Sequence, residues 1–122
     1  IGAPWMAAAF PEYTFTPAPN EGATQPRYNG ETCYGVDLTS FGNSFLPTYK
    51  GIYLYWLLEA YRMAPDKSAF FNPYFNKLAG SEVLRKQIEA GLSEEEIKAS
   101  WQADLHAFKL VRKKYLLYPD FE

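Results

Sequence analysis

Apolar and polar side chains alternate most clearly between residues 31 and 38, where Glu31-Thr32-Cys33-Tyr34-Gly35-Val36-Asp37-Leu38 reads as a strand. Successive side chains on a strand point to opposite faces. Thr32, Tyr34, Val36 and Leu38 are therefore expected on the buried face, and Glu31, Cys33, Gly35 and Asp37 on the other. That second face carries two acids, the only cysteine and a glycine. A glycine inside a strand marks a bulge, or a place where a ligand or another backbone comes close. Upstream, Arg27, Tyr28 and Asn29 lie in a segment, 17–30, with three prolines, two glycines and two asparagines. A loop of that length exceeds what a compact domain needs to join two strands. Two readings of this edge stand side by side: the lining of a polar cleft, or an edge strand with ordinary polar decoration.

The remaining pattern is mixed. Tyr13-Thr14-Phe15-Thr16 alternates and reads as a short strand. Ala7 to Phe10 can form a helical turn or two before Pro11. Thr39 to Leu46 reads as a connection. Tyr49, Ile52, Tyr53, Trp56, Leu57 and Ala60 then recur at helical spacing. They predict a deeply buried helix over 47–63, with Pro47 in its first turn and Pro65 beyond its end. Residues 66–78 are aromatic and irregular, with room for a short strand. Ser81 suits the cap of a second helix that buries Leu84 and Ile88 and stops at Gly91.

Ser93 and Glu96 have the spacing of a capping box, and three acids in the first turn favour the helix dipole. This predicts a third helix over 93–114, with Ile97, Trp101, Leu105, Phe108 and then Val111 or Arg112 on one inward face. Tyr115 to Tyr118 follows as a closing strand or a packed arm. The pattern gives a mixed α/β fold: a small sheet of two to four strands with about three helices, in one domain over 1–122.

Composition narrows the function classes. The chain has 122 residues, 48% of them apolar and 21% charged, with net charge −2. These are the proportions of a globular protein with a sizeable core. The aromatic share, 18%, hints at an interaction surface. No basic patch with interleaved aromatics suggests nucleic acid as a partner. The run Arg112-Lys113-Lys114 sits where cations offset a helix C-terminus. No apolar run approaches the ~20 residues that span a membrane. One cysteine excludes an internal disulfide, and one histidine, His106, is too few for an ordinary zinc site. The start Ile1-Gly2-Ala3-Pro4-Trp5 has the look of a cut end, which suggests a piece of a longer protein.

The sequence holds no self-contained active site. Glu31 and Asp37 share a strand face, but six residues at about 3.3 Å each separate them by roughly 20 Å. The two carboxylates of a glycosidase stand about 5 to 9.5 Å apart. Cys33 with His106 is a conceivable dyad, although a small buried hydrophobe is the commoner role for a free cysteine. No phosphate-binding glycine loop and no nucleophile elbow is present. No metal site and no cofactor is expected.

Several stretches, in order, resemble one family. They are Ile1-Gly2-Ala3-Pro4-Trp5, then Tyr28-Asn29-Gly30-Glu31-Thr32-Cys33-Tyr34-Gly35-Val36, then Tyr74-Phe75-Asn76-Lys77-Leu78-Ala79-Gly80-Ser81. Leu84-Arg85 through Ile97, Trp101 and Arg112-Lys113-Lys114-Tyr115-Leu116-Leu117-Tyr118 complete the set. Together they resemble the NamZ-type exo-β-N-acetylmuramidases, also described as the DUF1343 proteins.

The resemblance implies a two-domain bacterial protein, of which this chain is the smaller, C-terminal α/β domain. It implies a Rossmann-like N-terminal domain as partner, an active site in the cleft between the two, and a principal catalytic acid in the part that is not in this chain. The implied substrate is a muramyl saccharide from peptidoglycan, and the implied location is periplasmic or secreted. No catalytic residue is assigned here. The candidate substrate-binding residues are Arg27, Tyr28, Asn29, Glu31 and Trp5. Arg27 stands where the family usually has Lys, and it would hold the lactyl carboxylate of muramic acid. Glu31 would accept sugar hydroxyl or amide hydrogens or fix Arg27. Trp5 would stack at the cleft rim or dock the domains. The alternatives are a non-catalytic carbohydrate-binding module and a purely structural domain.

Overall fold

A three-stranded antiparallel sheet forms around the alternating stretch. In the computed structural model, which describes residues 1–45, 47–49 and 51–120, the chain divides into two units, Ile1–Phe70 and Phe71–Glu122. The sheet lies in the first. Its strands are β1 (Gly2–Ala3), β2 (Tyr13–Phe15) and β3 (Cys33–Gly35), in the order β1-β3-β2. Gly35 pairs with Gly2 on one side and Tyr13 on the other, and Tyr34 pairs with Ala3 and Thr14. A short 3-10 helix, Pro4–Met6, opens with Pro4 in its first turn, packs on β3 and buries Met6.

The expected faces of β3 are reversed. Cys33 is fully buried and Gly35 buried, while Tyr34 and Val36 are half-buried and Thr32 is exposed. The small side chains mark the side where another backbone crowds in. A methyl group at Gly35 would sit 1.9 Å from the Ile1 carbonyl oxygen. Close backbone approach, not side-chain hydrophobicity, decides which face is covered.

The helix expected over 47–63 is also corrected. The connection before it forms α1 (Phe41–Phe45), Pro47 lies in a turn, and α2 runs only from Tyr55 to Met63. The aromatic stripe is shared among segments. Phe45 stacks on Phe41 at 4.6 Å and meets Tyr49 and Tyr53 at 4.6 Å each, and Trp56 meets Phe41 at 6.0 Å. These ring contacts hold Tyr49 and Tyr53 against α1, outside α2. No residue of α2 is fully buried; Leu54, just before it, is. Leu46 and Lys50, inside the expected connection and helix, lie outside the described residues, as does the tail 121–122.

The second unit is helical. α3 (Phe75–Ala79) occupies part of the irregular segment that left room for a short strand. α4 (Val83–Glu89) buries Ile88, and Leu84 is half-buried. The N-cap position falls on Glu82, one residue past the expected Ser81, whose hydroxyl still accepts a hydrogen bond from the Val83 amide at 3.3 Å; Gly91, at φ 78°, follows the helix end as expected. α5 (Glu94–Ser100) carries the full capping box. Ser93 Oγ accepts from the Glu96 amide at 3.2 Å, and Glu96 Oε2 from the Ser93 amide at 2.8 Å.

The single helix expected over 93–114 breaks at Trp101, and α6 spans Gln102–Arg112. Ser100 Oγ donates to the Ile97 carbonyl at 2.7 Å, a back-bond of the kind that bends helices, and the Trp101 amide turns to the Lys98 carbonyl at 3.2 Å. Ile97 is fully buried, but the rest of the stripe is not. Trp101 is half-buried, and Leu105, Phe108 and Val111 are 43%, 61% and 51% exposed. Tyr115 to Tyr118 forms no strand, and Leu117 is 97% exposed.

Candidate functional site

The proline-rich segment 17–30 is tied down by its own polar groups. The Asn20 side-chain oxygen accepts from the Gly22 and Ala23 amides at 2.9 Å each, and the Gly30 amide donates to the Pro17 carbonyl at 2.9 Å. Tyr28 to Glu31 closes a turn through a 3.0 Å bond from the Glu31 amide to the Tyr28 carbonyl. Gly30, third in that turn, has φ 77°, which a side chain would resist. Tyr28 itself has φ 60°, an uncommon value for a bulky residue and a mark of local strain.

This loop and the 3-10 helix bring Arg27, Tyr28 and Trp5 to one cavity of about 450 Å³, with Asp66 and Phe70 on its wall. The volume falls within the range of small-ligand sites. Arg27 is exposed, and its guanidinium carbon lies 5.1 Å from the centre of the Tyr28 ring. Among the described residues it makes no ion pair or hydrogen bond, so its five donors are open to a ligand. Asn29 and Glu31 are exposed on the same turn but do not line the cavity, and Glu31 is not paired with Arg27. Three of the five candidate residues are thus brought together.

The two strand acids are not. β3 is three residues long, and Glu31 and Asp37 both lie outside it. Asp37 takes hydrogen bonds from the Thr39 hydroxyl at 2.5 Å and the Thr39 amide at 2.8 Å, which hold its carboxyl below the usual range. It lines a different cavity, of about 480 Å³, with Phe10, Tyr13 and Trp56. Burial pushes the Cys33 thiol up, and the Glu31 carboxylate adds to the effect. A fully buried, protonated thiol is a core residue, not a nucleophile. Among the described residues, no group of three or more His, Cys, Asp or Glu is placed to hold a metal ion. None of the described helices is long and apolar enough to cross a membrane.

Asp66 escapes a reading of the sequence because the segment around it shows neither helical nor strand period. Its signal is local: Asp66-Lys67-Ser68 is a turn-forming triplet. Asp66 Oδ1 accepts from the Ser68 hydroxyl at 2.7 Å, the Ser68 amide at 2.9 Å and the Ala69 amide at 3.3 Å.

Comparison with known proteins gives concordant matches. The family described as "Exo-beta-N-acetylmuramidase NamZ, C-terminal" matches residues 1–118. The peptidoglycan beta-N-acetylmuramidase NamZ of Bacillus subtilis (strain 168) is 32% identical over 107 residues, which cover 86% of this chain and 24% of that protein. The crystal structure of a DUF1343 family protein from Bacteroides fragilis NCTC 9343 is similar over 98% of this chain and 33% of its own, with a TM-score of 0.85 and 40% identity. The chain therefore spans about a quarter to a third of these relatives, and the likeness extends to its mixed α/β fold.

Proposed function

Because this chain belongs to the NamZ exo-β-N-acetylmuramidase C-terminal family, we propose that it is the C-terminal domain of a glycoside hydrolase that releases N-acetylmuramic acid from peptidoglycan fragments. In this reading it supplies substrate contacts, while an upstream Rossmann-like domain carries the principal catalytic acid. One observation at the site supports it most: an arginine with no anionic partner among the described residues stands on the wall of an aromatic cavity. An arginine fork grips a carboxylate through two parallel hydrogen bonds, and muramic acid differs from glucosamine by its lactyl carboxylate. Trp5 and Tyr28 offer ring faces to a sugar, while Asn29 and Glu31, exposed on the adjoining turn, lie outside the cavity lining.

The test uses the full-length protein and two chromogenic glycosides, one of N-acetylmuramic acid and one of N-acetylglucosamine, which lacks the lactyl group. Arg27→Ala is expected to lower kcat/KM roughly tenfold to a hundredfold on the first, the loss of a charge-assisted bond. The effect on the second is expected to be much smaller. An equal loss on both would mean that Arg27 does not read the carboxylate.

A further inference from the structure

The Arg27 cavity holds a second charge of opposite sign. We propose that Asp66 is a recognition residue of this cavity, accepting hydrogen bonds from the hydroxyl or amide groups of an acidic sugar whose carboxylate Arg27 holds; this rests on the reading of Arg27 given above.

Asp66 sits in the loop after α2 and lines the cavity with Phe70. Its Oδ1 is saturated by one hydroxyl and two amides, which fix the orientation of the carboxylate. Those bonds favour the charged form, with the Ser68 hydroxyl contributing most, so the group stays ionised at neutral pH. Among the described residues Oδ2 receives no hydrogen bond. The neighbouring cation is committed elsewhere. Lys67 Nζ donates to the carbonyls of Tyr61, Arg62 and Ala64 at 2.5, 2.6 and 3.1 Å and lies 5.1 Å from the Tyr61 ring centre. That contact adds a cation to the carbonyls at the end of α2 and clamps the loop presenting Asp66.

Arg27 and Asp66 line one cavity and do not pair with each other. A neutral sugar would leave the guanidinium unmatched. A simple carboxylate would engage Arg27 and leave the exposed Asp66 Oδ2 to water. A ligand with one carboxylate and several hydroxyl or amide donors satisfies both, and an acidic amino sugar has that chemistry.

The experiment compares Asp66→Asn with Arg27→Ala in the full-length protein on the same two glycosides. Asparagine keeps the Oδ1 acceptor for Ser68 and Ala69 and replaces Oδ2 with a donor, so the loop is retained and recognition is inverted. Asp66→Asn is expected to raise KM about tenfold on both substrates, because hydroxyl and amide groups are common to both, with the variant still folded at the assay temperature. Ser68→Ala removes only the hydroxyl that orients Oδ1 and is expected to raise KM about threefold on both. No change in KM from either folded variant overturns the proposal, as does an Asp66→Asn effect seen only with ligands carrying a free amine. If Arg27→Ala loses its selectivity while the Asp66→Asn effect persists, the carboxylate reading alone fails. The reverse pattern removes Asp66 and leaves Arg27.

Discussion

Gly2 and Gly35 face each other across the β1–β3 ladder, and neither has room for a methyl group. A carbon added to Gly2 would lie 2.4 Å from the Tyr34 carbonyl oxygen, and one added to Gly35 would lie 2.6 Å from Gly2 Cα. Both obstacles are backbone, which cannot swing aside as a side-chain tip can. Gly35→Ala is therefore expected to destabilise the protein by about 3 kcal/mol or more, at the upper end of overpacking costs. Gly2 and Ala3 also line the Arg27 cavity, so ligand binding should weaken with the sheet. A urea melt showing a loss below about 1 kcal/mol would mean that the strands separate at little cost.

Stability in the helical unit should depend on Ile97 and little on α6. Ile97 is fully buried, so Ile97→Ala is expected to cost about 2 to 5 kcal/mol. Phe108 is 61% exposed, and Phe108→Ser in this chain should change stability by no more than about 0.5 kcal/mol. Equal losses at the two positions would show that the exposed stripe is packed in solution.

The capping box gives a separate test. Ser93→Ala removes the acceptor for the Glu96 amide and is expected to cost about 1 kcal/mol, with helical signal lost from the α5 region. Ser93→Gly, which also lacks that acceptor but suits the cap backbone, should cost only a few tenths. Identical losses for the two would contradict the assigned cap.

Acid should destabilise the fold in a defined window. Asp37, Asp66 and Glu96 are all held below the usual carboxylate range, by the Thr39 hydroxyl, the Ser68 hydroxyl and the Ser93 amide respectively. A depressed folded pKa gives stability that is present above the unfolded value, about 3.9 for Asp and about 4.3 for Glu. It is lost as pH falls through the lower, folded values. Tm should hold between about pH 7 and about pH 5 and drop below about pH 4, and the drop should shrink in the triple variant Asp37→Asn, Asp66→Asn, Glu96→Gln. A Tm that rises on acidification would reverse the assigned sign.

The 122-residue chain by itself is expected to show no turnover of a muramic-acid glycoside. Hydrolysis through two carboxylates needs them about 5 to 9.5 Å apart, and among the described residues Asp66 is the sole acid on the Arg27 cavity. Measured turnover by this chain alone would place the catalytic acid within it.

Local chemistry carried what could be read from the sequence. The Ser93–Glu96 box depends on neighbours three residues apart, and the stop at Gly91 on one residue's freedom to take positive φ; both stand as expected. The apolar pattern was enough for a mixed α/β fold, and the ordered motifs were enough for the family. Tertiary structure decided the rest. The buried face of β3 depended on where the backbone of Ile1 and Gly2 comes to lie, and alternation alone has no means of counting a neighbouring backbone. The 47–63 stripe had helical spacing, yet the rings at 49 and 53 lie outside α2 and pack on Phe45 of another segment. Arg27, Trp5 and Tyr28 could be named from the sequence, but Asp66 could not, because it joins them only when a loop 39 residues beyond Arg27 folds onto the same cavity. Periodicity reports which residues share an element; which elements share a cavity is set by packing between segments distant in the chain.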